Sequence, residues 1–473
     1  MQRKVFLSLA VTALILSMLA CSSSGSGTPT PGLGTPNSES GTPTPGSGTP
    51  ALSPSATPPL SGVDLSANLT VSSATGFTTA EGRYLVVGEV INNANVAATS
   101  IELTLEIKDA SGASMLKDYS GTTVPSITLH PMVPTLAPGM SSPFSYDPFF
   151  DSSTPTPATV KVTVTSAIST QASQVEIMAD HVQLVHDSLS YYLTGELVNS
   201  TADWVLVNGL SGGVVDGENQ LLSASKGLSN LELAPAGEAQ GRDRMPFMIL
   251  ISMPGGNVSQ WKLWWEAEAT TVPTDYSVEI NMTNTYFDAS GQYHVVGTAT
   301  NHADAALFTL IFAGIYAQDG TVLDAFAVEA YLPAAPGQAV PFEITNFYPI
   351  SKLPDQRARV NNVSLQVLPV STHVYTVDKL ELTSPDEIVE IYSGSTLIFN
   401  GSFTNTTDKA VANPILVAAL YDQAHKLVAA HMGYLSGMAP GAKTGYAFGI
   451  PLDPSVDPAS LTNELILFSI IQP

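Results

Sequence analysis

The sequence predicts an all-β protein in which four tandem two-sheet sandwich domains follow a signal peptide and a disordered linker. From residue 63 onward the chain consists of short β-branched and aromatic runs with no sustained helical period. A set of marker residues returns about every hundred residues. The segment before residue 63 has a different composition and cannot build a core. The predicted segments are 1–20, 21–62, 63–170, 171–271, 272–369 and 370–473.

Composition excludes several classes of protein. Of the 473 residues, 44% are hydrophobic and 12% are charged, which is enough apolar material for packed domains and rules out a disordered polyelectrolyte. With 17 basic and 41 acidic residues, the net charge of −24 repels phosphate backbones and anionic lipid head groups. We therefore expect no nucleic-acid partner. Because there is only one cysteine, no intrachain disulfide can form.

The first twenty residues read as a signal peptide. Arg3 and Lys4 are followed by an apolar run that stops at Cys21, short of the roughly 20 apolar residues that a membrane span needs. The stretch Met18-Leu19-Ala20-Cys21 resembles the lipobox of bacterial lipoprotein signal peptides, with Met18 where that family usually has Leu. The resemblance implies that Cys21 becomes an acylated N-terminus, palmitate among its chains, which anchors an extracytoplasmic protein to the bacterial cell membrane, at the surface or in the periplasm. The alternative is an ordinary secretory signal that leaves Cys21 as a free thiol.

Residues 22–60 are almost entirely Ser, Gly, Thr and Pro, and Gly-Thr-Pro-Thr-Pro-Gly occurs twice. Such a segment cannot bury a core, and its prolines favour an extended polyproline II chain of about 120 Å. We predict a stiff tether between the membrane and the first sandwich.

Three markers define the repeat. The first is a Gly followed four residues later by an Asn, which gives the pairs Gly88 and Asn92, Gly195 and Asn199, Gly297 and Asn301, and Gly401 and Asn405. The second is an Asp 21 or 22 residues after each Gly, at Asp109, Asp216, Asp319 and Asp422. The third is a Pro close to a Gly, predicting a type II turn before a strand that carries Phe144, Phe247, Phe342 or Phe448. Glycine spacings of 107, 102 and 104 residues match the length of a sandwich domain.

The strands alternate in polarity, as half-buried antiparallel strands do. In the run from Ile101 to Ile107 every second residue is apolar and the residues between are Glu or Thr. With six or seven strands per unit, an immunoglobulin-like sandwich is the simplest solution. The last unit also resembles the FxLYD-type family of bacterial extracytoplasmic domains in Gly401-Ser402-Phe403-Thr404-Asn405, Leu420-Tyr421-Asp422 and Met438-Ala439-Pro440-Gly441. That resemblance implies a non-catalytic envelope domain with no established ligand.

Candidate chemistry is sparse. Ser211 lies in a G-x-S-x-G sequence, but a hydrolase elbow needs a strand, a sharp turn and a helix, and this segment reads as strand. The eight histidines form no zinc signature, and no acidic run has calcium-loop spacing. We expect no catalytic residue, metal site or cofactor, while a calcium site built from several loops stays possible.

The best recognition candidate is aromatic. Alternation places Trp261, Leu263 and Trp265 toward the core, which puts Trp264 on the opposite face beside Lys262 and Glu266. An exposed ring flanked by charges would suit sugar stacking, whereas the alternative is that Trp264 packs against an adjacent repeat.

Three functional hypotheses follow. The first is a non-catalytic surface lipoprotein with a structural, adhesive or protein-binding role, whose partners are the membrane and envelope proteins or glycans. The second is a carbohydrate-binding lipoprotein centred on Trp264. The third is a hydrolase, which requires Ser211 in an elbow beside a histidine.

Overall fold

The computed structural model describes eleven segments of the chain, namely 62–150, 154–171, 175–238, 241–271, 278–303, 309–329, 336–369, 376–379, 388–392, 395–411 and 414–471. The chain divides into two units, residues 1–57 and residues 58–473, and every described residue belongs to the second. The predicted signal peptide, Cys21 and all but the end of the predicted tether lie outside the described residues.

The described residues form 26 β-strands, and the all-β prediction is confirmed. The first repeat contains β1 (Leu69–Thr78), β2 (Tyr84–Asn92), β3 (Ala97–Lys108), β4 (Ile127–Leu129), β5 (Ser141–Tyr146) and β6 (Thr159–Thr170). The second contains β7 (Ile177–His186), β8 (Ser190–Asn199), β9 (Trp204–Val215), β10 (Leu221–Lys226), β11 (Leu231–Leu233), β12 (Arg244–Ser252) and β13 (Gln260–Thr270).

The third repeat contains β14 (Val278–Phe287), β15 (Tyr293–Asn301), β16 (Thr309–Tyr316), β17 (Val322–Glu329), β18 (Ala339–Ile344) and β19 (Asn362–Pro369), with helices α1 (Tyr348–Lys352) and α2 (Pro354–Arg357). The fourth contains β20 (Thr376–Lys379), β21 (Ile388–Tyr392), β22 (Thr396–Thr404), β23 (Ile415–Tyr421), β24 (Leu427–Tyr434), β25 (Lys443–Pro451) and β26 (Thr462–Ile471). Single 3₁₀ turns occur at Ser66–Asn68 and Pro458–Ser460.

Each repeat has the same two-sheet topology. Its first sheet holds the marker Gly on a central strand, giving the orders β1-β2-β5, β7-β8-β12, β14-β15-β18 and β21-β22-β25. The marker Asn is the last residue of that strand in the first three repeats and directly follows it in the fourth. Its second sheet has the orders β4-β3-β6, β10-β9-β13, β17-β16-β19 and β24-β23-β26, with β11 added beside β9 and β20 beside β26. All of these strand pairs are antiparallel, as the alternation predicts.

The marker glycine makes room for an aromatic ring on the neighbouring strand. Gly88 lies opposite Phe144 in the register, and a Cβ at Gly88 would stand 2.5 Å from the Phe144 ring. The same pairing recurs between Gly195 and Phe247, Gly297 and Phe342, and Gly401 and Tyr446. Phe448 lies in the strand after the turn, as predicted, but it stands two residues further along β25, opposite Phe399, so Tyr446 is the ring beside Gly401.

The marker asparagine joins the end of its strand to the Pro-Gly turn. Asn92 is fully buried; its Nδ2 donates to the carbonyls of Val96 and Leu136, each at 2.9 Å, and its Oδ1 accepts from the amide of Ala94. Asn199 and Asn405 make the equivalent three bonds, and Asn301 accepts the equivalent amide bond from Ala303. The turn glycines Gly139, Gly237, Gly337 and Gly441 have φ between +73° and +76°, as the predicted type II turn requires.

The marker aspartate shapes the hairpin that it begins. Asp216 Oδ1 accepts from the amides of Glu218 and Gln220 at 2.9 Å, and Asp109 and Asp422 make the same pair of bonds. Asp319 accepts from the amide of Thr321. The carboxylates therefore serve their own turns.

Consecutive sandwiches share their cores. The second sheet of each later repeat packs on the first sheet of the repeat before it, with β10 on β2 and β5, β17 on β8 and β12, and β24 on β14, β15 and β18. Trp264 and Val215 of the second repeat belong to the core of the first, Phe312 and Ala325 of the third belong to that of the second, and Ile415 and Val417 of the fourth belong to that of the third.

The burial pattern of the central strands is consistent with this packing. Leu85–Val90 in β2, Tyr192–Asn199 in β8 and Tyr293–Gly297 in β15 are buried without interruption, so both faces of these strands are covered. β3 is the central strand of the second sheet of the first repeat, and β22 is that of the first sheet of the fourth repeat; within the described residues, no further repeat packs on either sheet. In both strands, buried residues largely alternate with partly exposed or exposed ones. Among the described central strands, β3 and β22 therefore each keep one face uncovered.

Candidate functional site

The predicted recognition residues lie in the interface between the first and second repeats. Leu263 and Trp265 pack in the core of the second repeat and Trp264 points to the opposite face, as the alternation predicts. That face is covered by the first repeat, and Trp264 is only 7% exposed. The prediction of Trp264 as an exposed sugar platform is therefore wrong, and the alternative of packing against an adjacent repeat is confirmed. The prediction that Trp261 faces the core with Leu263 and Trp265 is wrong, because Trp261 lies at the start of β13, beyond the packed core, and is 39% exposed.

A polar chain surrounds Trp264. Its indole Nε1 donates to Ser141 Oγ at 3.1 Å, and Ser141 Oγ in turn donates to Glu89 Oε1 at 3.0 Å. Lys262 Nζ lies 3.2 Å from Glu89 Oε2 and 5.9 Å from the centre of the Trp264 ring. The polar groups of Trp264 and Lys262 thus bind Ser141 and Glu89 of the first repeat and are not free for a ligand.

Glu266 completes this interface. Its Oε2 accepts from the backbone amide of Thr135 in the first repeat at 2.8 Å. Burial raises the pKa of Glu266, although the bonds from Thr135 act in the opposite direction. All three predicted ligand-binding residues, Trp264, Lys262 and Glu266, therefore serve to join two repeats.

The second interface also contains a buried carboxylate. Glu196 on β8 is 5% exposed and accepts from the phenol of Tyr316, in the third repeat, at 2.9 Å. Its other oxygen accepts from Arg244 Nη1 at 2.8 Å. Burial and the neighbouring Glu196 raise the pKa of Tyr316, so the phenol stays protonated and keeps donating.

The third interface contains a cluster of buried polar side chains. Glu343 on β18 is 3% exposed, and its Oε1 lies 2.8 Å from His294 Nδ1 and accepts from the Tyr286 phenol at 3.4 Å. His294 Nε2 lies 3.4 Å from Asp288 Oδ2, and the His294 ring stacks on Tyr286 with centroids 4.5 Å apart. From the fourth repeat, His431 Nδ1 approaches Glu343 Oε2 to 3.9 Å.

Tyr286 and Glu343 therefore connect two sandwiches. The Tyr286 phenol donates to the carbonyl of Pro451 in the fourth repeat at 3.0 Å. Burial opposes ionisation of Glu343, but the hydrogen bonds and charges of His294 and His431 outweigh it and lower the pKa of Glu343 below its ordinary value of 4.5.

Acid should weaken this third interface. Because the folded-state pKa of Glu343 is lowered, its contribution to stability is complete above about pH 4.5 and is lost as the pH falls through the folded value. We expect Glu343→Gln to lower the melting temperature at pH 7 and to reduce the loss of melting temperature between pH 5 and pH 3. Buried Asp324, whose pKa is raised by burial, acts in the opposite direction in both proteins and cancels in the comparison.

The control for this pH series is Glu279→Gln, since Glu279 is exposed and pairs with exposed His302. That variant should follow the unmodified chain at every pH. Equal acid sensitivity of the Glu343→Gln variant and the unmodified chain would contradict the assignment of Glu343.

Sequence reasoning missed these three glutamates. Glu89 and Glu196 each follow the marker glycine directly, in a run that is otherwise apolar. In the fourth repeat, Ser402 follows the marker glycine and Ala447 occupies the position that matches Glu343. The first sheet of the fourth repeat therefore has no acidic residue at these two positions. A charged residue inside an apolar strand was the available signal, since such a residue is buried only when it is paired.

Ser211 does not lie in a hydrolase elbow. It is fully buried within β9, where the register places it between Lys226 of β10 and Trp264 of β13. The hydrolase hypothesis, as far as it depends on Ser211, is therefore wrong. Among the described residues, no group of three or more His, Cys, Asp or Glu side chains is arranged to hold a metal ion. The same residues contain no helix with the length and apolar character needed to cross a membrane.

Comparison with known proteins does not assign this chain to a family. No protein-family model matches the sequence, and no curated protein matches it. Among solved structures, a red sea bream transglutaminase is 11% identical with a TM-score of 0.14, covering 41% of this chain and 29% of its own. A β-glucuronidase of glycoside hydrolase family 2 is 11% identical with a TM-score of 0.15, covering 55% and 27%. E. coli alpha-2-macroglobulin is 7% identical with a TM-score of 0.13, covering 84% and 28%.

This chain thus spans less than a third of each of these solved proteins. Their activities have no bearing on this chain at such TM-scores.

Proposed function

We propose that this protein is a membrane-anchored extracytoplasmic lipoprotein whose four sandwiches act as a non-catalytic structural, adhesive or protein-binding module. The observation that supports this most is the burial of β2, β8 and β15 on both faces. Repeats joined through flexible linkers would leave one face of each sheet in water, whereas these repeats share continuous cores. A module of this kind resists bending between repeats and suits a spacer or a support.

The outer faces of the two terminal sheets support a finite module. On β3 the outward residues include Glu102, Thr104 and Glu106. In the last sheet, Asn400 and Ser402 on β22 are partly exposed and Lys443 on β25 is exposed. Repeat proteins need such polar caps to remain soluble, because every internal repeat buries the matching face. Addition of a further copy at either end is therefore not favoured.

Irregularities in the edge strands also support a finite module. The edge strands β1, β7 and β14 each contain a register shift, between Ser72 and Thr75, Asp180 and Gln183, and Met282 and Asn284. Bulges at sheet edges twist the backbone away from additional pairing and so oppose edge-to-edge association.

Support for the lipid anchor comes from the sequence alone. The lipobox-like stretch ends at Cys21, and the Pro-rich segment behind it would place the sandwiches away from the lipid surface. A net charge of −24 gives the protein no electrostatic attraction to anionic lipids, so attachment would depend on the acyl chains.

Substitution at Cys21 tests this proposal. We expect Cys21→Ala to move the protein from the detergent-rich phase to the aqueous phase in a phase-partition assay. The matched control, Ser23→Ala, should leave it in the detergent phase, and mass spectrometry of its N-terminal peptide should find acyl chains on Cys21. A chain that partitions into water with Cys21 intact and carries a free thiol would refute the anchor.

A further inference from the structure

A cleft with an apolar floor lies where the second repeat packs on the first. Its volume is about 250 Å³, and its floor is formed by buried backbone and side chains of Pro131, Met132, Gly209 and Leu210. Both repeats belong to the same compact unit and meet here through their β-sheets. Junctions between domains are among the places where small-molecule sites occur most often.

The rim of the cleft is polar and carries one permanent cation. Lys226, at the end of β10, lines the cleft and forms no ion pair with any described residue. The hydroxyl residues Ser100 and Ser229 line it as well. His130 Nδ1 lies 3.1 Å from the carbonyl of Ile101, and because a carbonyl can only accept, Nδ1 carries the proton and fixes the ring against the wall.

The backbone at the rim is strained. Ser100 has φ of +50°, which a residue other than glycine rarely adopts, and it lies in the register shift between Thr99 and Glu102. Such outliers persist where the surrounding structure enforces them, and they concentrate at ligand sites.

The charge of the lining departs from that of the protein. Although acidic residues outnumber basic ones by more than two to one in the chain, no carboxylate lines this cleft. The nearby carboxylates of Glu266 and Glu268 accept hydrogen bonds from other groups. Glu266 accepts from the backbone amide of Thr135, and Glu268 accepts from the side-chain amide of Asn208 at 2.8 Å. An anion would therefore meet an ammonium group and hydroxyls at the rim and no lining carboxylate.

We propose that this cleft binds a small monocarboxylate with a short apolar tail. The carboxylate contacts Lys226 and the serine hydroxyls, and the tail lies on Met132 and Leu210. Because the cavity is somewhat smaller than the roughly 300 Å³ at the lower end of ligand sites, it accepts a tail of a few carbons and not an extended glycan. This binding is independent of the anchoring role proposed above.

The test is a saturation-transfer NMR titration of the full chain with hexanoate, hexanol and hexylamine. We expect hexanoate to bind most tightly, because its carboxylate forms a charge-assisted contact with Lys226. Substitution Lys226→Met, which keeps most of the unbranched side chain but removes the charge, should weaken hexanoate binding by about 10-fold or more and leave hexanol binding unchanged. Lys161→Met, at an exposed lysine of β6 outside the cleft, is the control and should bind hexanoate normally.

Circular dichroism and the melting temperature of each variant show that the fold is retained, which is expected for two exposed lysines. Equal affinity of hexanol and hexanoate, no binding of hexanoate, or unchanged hexanoate affinity in the Lys226→Met variant would each overturn the proposal.

Discussion

Substitution Trp264→Ala is expected to destabilise the protein by about 3–5 kcal/mol, the cost typical of removing a buried tryptophan. Trp264 is 7% exposed and packs in the core of the first repeat, although it belongs to the second. Its removal opens a cavity between two sandwiches and also takes the indole donor away from Ser141. The free energy of unfolding in urea measures this loss.

The matched control is Trp261→Ala on the same strand. Because Trp261 is 39% exposed and lies outside the buried cores, its removal should cost about 1 kcal/mol or less. Equal effects of the two substitutions would show that the face of β13 carrying Trp264 is not covered, and the shared core would then be refuted at this interface.

Substitution Asn199→Leu is expected to cost about 3–6 kcal/mol, since each buried polar group left without a partner costs about 1–3 kcal/mol. The side chain is fully buried and joins the carbonyls of Asp203 and Ala234 to the amide of Thr201. Leucine has a similar volume but forms none of these bonds. The melting temperature and the urea midpoint both report the loss.

Asn257→Leu provides the control in the same repeat. Asn257 is exposed in the connection between β12 and β13, so this change should alter stability by no more than about 0.5 kcal/mol. A cost of Asn199→Leu no larger than that of Asn257→Leu would mean that the marker asparagine does not hold the turn.

The internal repeat is the part of the fold that could be predicted from sequence. Glycine, asparagine and the Pro-Gly turn recur because each meets a local demand: space for an aromatic ring, three buried backbone partners and a positive φ. Because each requirement is local, the residue that meets it recurs at a fixed spacing in the sequence. Which aromatic residue faces the glycine depends on the strand register, which in the last repeat selects Tyr446 and not Phe448.

The contacts between repeats could not be predicted in the same way. Alternation in β13 gives the face of Trp264 correctly, but it cannot tell whether water or another sandwich covers that face. The apolar residues on both sides of Gly88 did carry a signal, since a strand with one face in water would alternate between apolar and polar residues. Glu89 and Glu196 lie within such runs, and they are buried and paired.

Hydroxyl-radical footprinting of the full chain, read by mass spectrometry, tests the shared cores most directly because it measures the exposure of individual side chains. One buried residue represents each interface, namely Trp264, Phe312 and Tyr286, and three exposed residues serve as references, namely Trp261, Met178 and Tyr119. The shared cores predict slow oxidation of the first three and fast oxidation of the references. Oxidation of Trp264 at the rate of Trp261 would contradict them.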